Sequence, residues 1–261
     1  MMKRMMLKNT FWPLAAGLTL ALLQGCATGP NADPADPLEP FNRGVTRFND
    51  GVDKAILRPV AIAYRDTTPP LVRAGVNNFF GNLTDAWSLV NNVLQVKIVE
   101  AADTFFRVSI NTTIGLGGLI DVASEMKIDK HPEDFGQTLG FWGVKAGPYV
   151  VLPLIGSSTM RDGLAKLVDL KGDVVSNLDR IPVRNSLIIL RGVDTRAEFL
   201  NAGALLESAA LDKYTFARDV YLQRRRSLIR PVSPETEERF DLPEVTAPVN
   251  APVTGEKPTA K

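Results

Sequence analysis

The stretch Lys97–Gly118, KIVEAADTFFRVSINTTIGLGG, constrains the chain more than any other. At 100° per residue, Glu100, Asp103, Thr104, Arg107 and Asn111 fall into one narrow stripe. Ile98, Val99, Ala101, Ala102, Phe105, Phe106, Val108, Ser109 and Ile110 fill the rest of the cylinder. A surface helix shows the reverse proportion, a modest apolar face and a wide wet one. The pattern predicts a helix enclosed by protein or by lipid that still carries a line of polar groups. Such groups need partners, because burying unpaired charge costs several kcal/mol. Asp103 and Arg107 stand at i, i+4 with the acid first, the order that favours mutual neutralisation. The stripe is then either an internal polar network or the wall of a water-filled passage.

The first 26 residues read as an export signal. Lys3, Arg4 and Lys8 form a positive n-region, Phe11–Leu23 an apolar h-region, and Leu23-Gln24-Gly25-Cys26 closes it. The apolar run is too short to span a bilayer. The ending resembles a bacterial lipobox, which implies cleavage after residue 25 and acylation of Cys26, the only cysteine. Neither a disulfide framework nor thiol chemistry is then expected in the mature chain. Ala27 after the cysteine favours sorting to the outer membrane, and several acyl chains make a stable anchor. The leader carries three of the 30 Lys+Arg and none of the 29 Asp+Glu. The near-neutral remainder lacks the basic footprint of a nucleic-acid binder.

Residues 26–35 read as a lipidated tether rich in Gly, Pro, Asn and Asp. Asp36-Pro37-Leu38-Glu39 then reads as a helix start with Asp36 as N-cap. Phe41, Val45, Phe48 and Val52 share an apolar arc, with Arg43, Arg47, Lys54 and Arg58 opposite. So close behind an anchor, that arc is a candidate for the membrane interface, with packing on the protein's own core as the alternative. Pro59 is expected to end or kink this helix, and Thr68-Pro69-Pro70 to start the next. After Gly81, residues 83–96 form a further predicted helix. Its polar face, Thr84, Ser88, Asn91, Asn92 and Gln95, is almost uncharged, with Asp85 the exception. Amides and hydroxyls suit either helix-to-helix hydrogen bonding or a passage for zwitterionic cargo. Asn91, Asn92, Gln95, Glu100, Asp103, Arg107 and Asn111 are therefore the candidate channel-lining residues. Gly115, Gly117 and Gly118 let the backbone turn or bend beside them.

Chemistry-bearing motifs are scarce. Gly115-Leu116-Gly117-Gly118 is no dinucleotide fingerprint, since Ile120 stands at the third glycine position. His131, the only histidine, lies among acids and is read as solvated. Ser157 lacks a nucleophile elbow. No catalytic residue, metal or cofactor is expected. Glycines in 135–156 interrupt regular helix, with Tyr149–Leu154 the best short strand. Helices are expected again at Ser186–Leu200, Ala202–Leu211 and Asp212–Arg226, the last closed by Arg224–Arg226 against the helix dipole. From residue 230 the composition predicts a disordered tail. The organisation is thus 1–25 signal peptide, 26–35 tether, 36–229 one mainly α domain, and 230–261 tail.

Several segments together resemble the VacJ/MlaA family of outer-membrane lipoproteins. They are Asp36-Pro37-Leu38-Glu39-Pro40-Phe41-Asn42-Arg43, Arg58-Pro59-Val60-Ala61, Asn78-Phe79-Phe80-Gly81-Asn82-Leu83 and the run from Asn111 to Ala123. Asp134–Gly140, Gly147-Pro148-Tyr149 and Arg161-Asp162 continue the series in order. Ala86 departs from the helix-starting proline of some relatives. The resemblance implies a ring-like helical domain in the inner leaflet of the outer membrane, with a central polar channel for phospholipid. It also implies association with a trimeric porin, transfer of lipid to a periplasmic carrier protein, and no enzymatic activity. A scaffolding lipoprotein without transport is the rival reading.

Overall fold

A computed structural model describes residues 36–203 and 212–229. The signal peptide, Cys26, the tether, most of the predicted 202–211 helix and the tail lie outside the described residues. Helix α1 (Glu39–Val52) leads through a π-helical turn (Asp53–Leu57) into α2 (Arg58–Thr67). Pro59 therefore does not end the helix. It has no N–H to give, and the ladder is re-registered just before it, with Arg58 N donating to Asp53 O. The turn is tied down by Arg196, whose Nε and Nη2 lie 2.6 and 2.9 Å from the Asp53 carboxylate.

Helix α3 runs unbroken over Pro70–Leu94. The expected break at Gly81 is absent, because one glycine inside a helix costs only about 1 kcal/mol. Pro69 and Pro70 start the helix as the sequence predicts. α4 (Ile98–Thr113) returns along α3, and the pair packs over much of its length. A tight turn follows, leading to α5 (Val122–Glu125). There Gly118 sits at φ +93°, where a Cβ would lie 2.7 Å from the Asn82 Cβ. A Cβ on Gly115 would lie 2.2 Å from the Ile120 carbonyl. These glycines hold a close backbone approach.

The glycine-rich region keeps one short helix, α6 (Phe135–Phe141), which the expected interruption by Gly136 and Gly140 had ruled out. Its start is capped by Asp134, whose Oδ1 accepts from Gln137 N. β1 (Tyr149–Leu152) and β2 (Gly156–Thr159) form an antiparallel hairpin, Tyr149 opposite Thr159. Asn42 and Asn49, two turns apart on α1, serve this hairpin's free edge. Asn42 Nδ2 donates to Tyr149 O while Val151 N donates to Asn42 Oδ1, and Asn49 repeats the pattern with Leu152 O and Leu154 N. Asp36 is not a helix cap: α1 has no side-chain cap, and Asp36 accepts instead from Asn42 and from the Tyr214 hydroxyl. α7 (Met160–Gly172), α8 (Ile181–Glu198) and α9 (Lys213–Ile229) complete the described chain.

Among the described residues the apolar cores are small: one joins Ala61, Ala197 and Leu200, and another joins Tyr149, Val151 and Tyr214, with Val45 packed against it. Elsewhere the polarity is inverted. Ile98, Val99, Phe105 and Phe106 of α4 are 66, 72, 53 and 53% exposed, while Arg107 is 1% exposed. Among the described residues no helix is long and apolar enough to cross a membrane.

Candidate functional site

The buried face of α3 repeats at three- and four-residue spacing, Asn82, Asp85, Ser88, Asn91 and Asn92, and Gln95 continues it just past the helix end. It meets Thr104, Arg107 and Asn111 of α4, also buried, and the chain from Asp121 to Thr138 closes the layer. At its centre the Arg107 Nη2 lies 3.1 and 2.9 Å from the two Asp121 oxygens. Nη1 donates to Ile128 O at 2.6 Å and Ser124 Oγ at 3.1 Å. Nε stands 3.5 Å from Asp85, which Lys130 also approaches at 3.5 Å. Asn111 bridges the same group, donating to Asp121 Oδ1 and accepting from Ala123 N.

Burial works against ionisation of Asp121, yet hydrogen bonds from Ser124, Asn111 and Arg107 bring its carboxyl down to about 2. At Asp85 burial prevails over Lys130 and Arg107 and pushes the carboxyl up. The expected Asp103–Arg107 pair is not formed. Arg107 turns inward to Asp121, and Asp103 Oδ2 meets His131 Nε2 at 3.0 Å. His131, read as solvated, is therefore part of the link between α4 and the following loop.

The amide face is likewise engaged. Thr138 Oγ1 donates to Asn91 Oδ1, Asn92 Nδ2 donates to Ser88 O and His131 O, and Gln95 Nε2 donates to Glu133 and Thr138. Asn91, Asn92, Gln95, Arg107 and Asn111 thus turn their polarity into the fold, where only Asn92 Oδ1 and Arg107 Nε among their side-chain atoms are buried without a hydrogen bond. That arrangement matches the internal-network alternative for these five. Glu100 and Asp103 remain partly exposed.

A second polar group lies where α3, α6, α7 and α9 meet. Arg225 holds Asp134 with Nη1 and Nη2 at 2.6 and 2.9 Å, and Asp162 with Nε at 3.0 Å. Tyr221 also donates to Asp162. Gly136 makes room: a Cβ there would lie 2.6 Å from both Arg225 and Asp162. Burial opposes ionisation of Asp134 and Asp162, but Arg225 holds both carboxyls below the usual range. Arg225 therefore acts as a tertiary clamp, beyond the helix-dipole role its position suggested.

A profile of the MlaA lipoprotein family matches residues 34–228, three-quarters of the chain and nearly all the residues just described. The chain belongs to the MlaA lipoprotein family.

Two MlaA proteins named intermembrane phospholipid transport system lipoprotein illustrate the kinship. The Escherichia coli (strain K12) protein is 42% identical over 217 residues, covering 81% of this chain and 85% of its own. The Haemophilus influenzae protein is 34% identical over 226 residues, covering 80 and 87%. A solved structure described as the structural basis for maintenance of bacterial outer membrane lipid asymmetry is 39% identical, with TM-score 0.66. It covers 75% of this chain and 99% of that one. The mainly helical fold is thus that of an MlaA protein.

Among the residues that sequence reasoning left unassigned, Asp121 and Asp134 had a visible signal. Each stands inside a segment that carries the MlaA resemblance. Asp85 also had one, as the single charge on an amide face. The Arg225 clamp had none, because its partners lie 63 and 91 positions away.

Proposed function

We propose that this chain is a lipid-anchored outer-membrane lipoprotein, on the periplasmic side, that removes mislocalised phospholipid from the outer leaflet. It hands the lipid to a periplasmic carrier protein and works beside a trimeric porin, without catalysing a reaction. The observation that carries this reading is the inverted burial. Phenylalanines, leucines and valines face outward along α3, α4, α7 and α8, while charge and amides turn inward. Exposed apolar surface on this scale fits hydrocarbon rather than water as the outer solvent. The phospholipid-transport names of the relatives and the lipobox at Cys26 support the same reading. In it, the buried stripe residues brace the wall, and Glu100 and Asp103 stand on the wet side of the headgroup passage. Phe41 and Phe48 lie in the membrane interface.

The test is outer-leaflet phospholipid exposure in a deletion strain, with and without the gene restored. Deletion should raise exposure, wild type should return it, and Cys26→Ser should not, because the unacylated protein loses its anchor. Unchanged exposure on deletion would contradict the proposal. It would favour the scaffold reading, which the inward hydrogen bonds of Arg107 and Asn111 also fit.

A further inference from the structure

Beside the Arg225 clamp lies a cleft of about 340 Å³, bounded by Thr84 and Ser88 of α3, the loop before α6, α7 and α9. That volume is within the roughly 300–1,000 Å³ of small-ligand pockets. The charges lining it fall into two classes. Asp134 and Asp162 are neutralised by Arg225 together with Arg161, and Glu133 is taken by Lys97 and Gln95. Lys166 and Arg224 also line the cleft, yet neither has an ion pair or side-chain hydrogen bond among the described residues. Asp169, one helical turn beyond Lys166, accepts from Trp87 Nε1 and Phe135 N through Oδ1 alone. Its Oδ2 accepts nothing among the described residues.

Two cations without an ion pair and one carboxylate oxygen without a hydrogen bond therefore share a cleft, with the charge of Lys166 already acting on Asp169. Cations on extended side chains suit a phosphodiester, and a half-buried carboxylate suits an ammonium. The surroundings decide between a free ion and a lipid. By the helical period, Leu170 follows directly beside Lys166 on α7, and Leu167 and Leu164 continue the same exposed face. Polar groups in the cleft thus pass into an apolar surface around a single helix.

We propose that this cleft holds the headgroup of a zwitterionic phospholipid, with Lys166 and Arg224 on the phosphate and Asp169 on the ammonium. The acyl chains run along the Leu164–Leu167–Leu170 face. This assignment rests on the phospholipid reading above and adds the residues that recognise the headgroup.

Binding of dihexanoylphosphatidylethanolamine to the detergent-purified lipoprotein tests it, beside glycerophosphoethanolamine, inorganic phosphate and dihexanoylphosphatidylglycerol. The double variant Lys166→Gln, Arg224→Gln should weaken binding of both lipids at least tenfold with the melting temperature unchanged. Asp169→Asn keeps an oxygen for Trp87 and Phe135. It should weaken the ethanolamine lipid several-fold and leave the glycerol lipid unaffected. Wild-type affinity in the double variant would overturn the site, as would equal effects of Asp169→Asn on both lipids. Phosphate binding as tightly as lipid, with the same sensitivity to the double variant, would make it a free-anion site instead. If the site fails while wild type still restores lipid asymmetry in cells, the transport reading stands without it. If wild type fails to restore asymmetry, the transport reading falls whatever the cleft binds.

Discussion

Asn111 is the residue on which the polar layer turns, because one amide serves Asp121 and the Ala123 backbone at once. Asn111→Leu keeps the volume and leaves both partners without that bond. Each unsatisfied buried group costs about 1–3 kcal/mol. The expected result is a lower melting temperature and less protein in the membrane; an unchanged melting temperature would return Asn111 to the passage wall. Asp121 gives a second test. Its carboxyl titrates lower in the folded chain than the usual value of about 3.9. The stability it contributes is therefore complete above about pH 4 and disappears as the pH falls through about 2. Asp121→Asn should lower the melting temperature at pH 7, where it takes from Arg107 its nearest carboxylate and leaves it Asp85 at 3.5 Å. The gap from wild type should close as the pH falls from 4 to 2, which thermal unfolding followed by circular dichroism across that range would measure.

At the scale of elements, α1 splits the four residues that the sequence grouped on one arc. Phe41 and Phe48 are each 54% exposed, Val52 is half-buried, and Val45 packs on the Tyr149–Val151–Tyr214 core. Phe48→Glu should therefore leave the melting temperature in detergent nearly unchanged while weakening membrane association, read by flotation with vesicles. Val45→Asp should lower that melting temperature sharply, because it buries an acid beside the hairpin. Equal melting temperatures for the two variants would contradict this division. The sequence made most helices legible, since prolines at 69 and 70 and apolar periodicity are local signals. It misplaced the break at Gly81 and missed the helix at Phe135–Phe141, because the layer packed against them outweighs the local cost of glycine. The stripe on α4 was legible as a stripe. Its partners were not: Asp103 and Arg107 are matched in spacing, but each finds a closer acceptor or donor on the loop that follows.

The described residues are held together by polar layers where most domains of this size rely on an apolar core. Arg225 joins the last described helix to α6 and α7 through two carboxylates, so Arg225→Ala leaves Asp134 without its cation and Asp162 with Arg161 alone. Breaking a fully buried pair costs about 3–5 kcal/mol, and the 37% exposure of the Asp134 side chain lowers that figure here. The same inversion leaves the apolar side chains facing outward, and the account depends on lipid being what they face. Cys26 is the only cysteine and is expected to be acylated, so a cysteine introduced at Phe105, Leu167 or Glu125 gives a unique site for a nitroxide label. In bilayers made from phospholipid, the accessibility of each label to oxygen and to a water-soluble nickel chelate measures which solvent it meets. The account predicts that labels at positions 105 and 167 collide with oxygen and are shielded from the chelate, while the label at 125 meets the chelate. Chelate accessibility at 105 and 167 equal to that at 125 would contradict it.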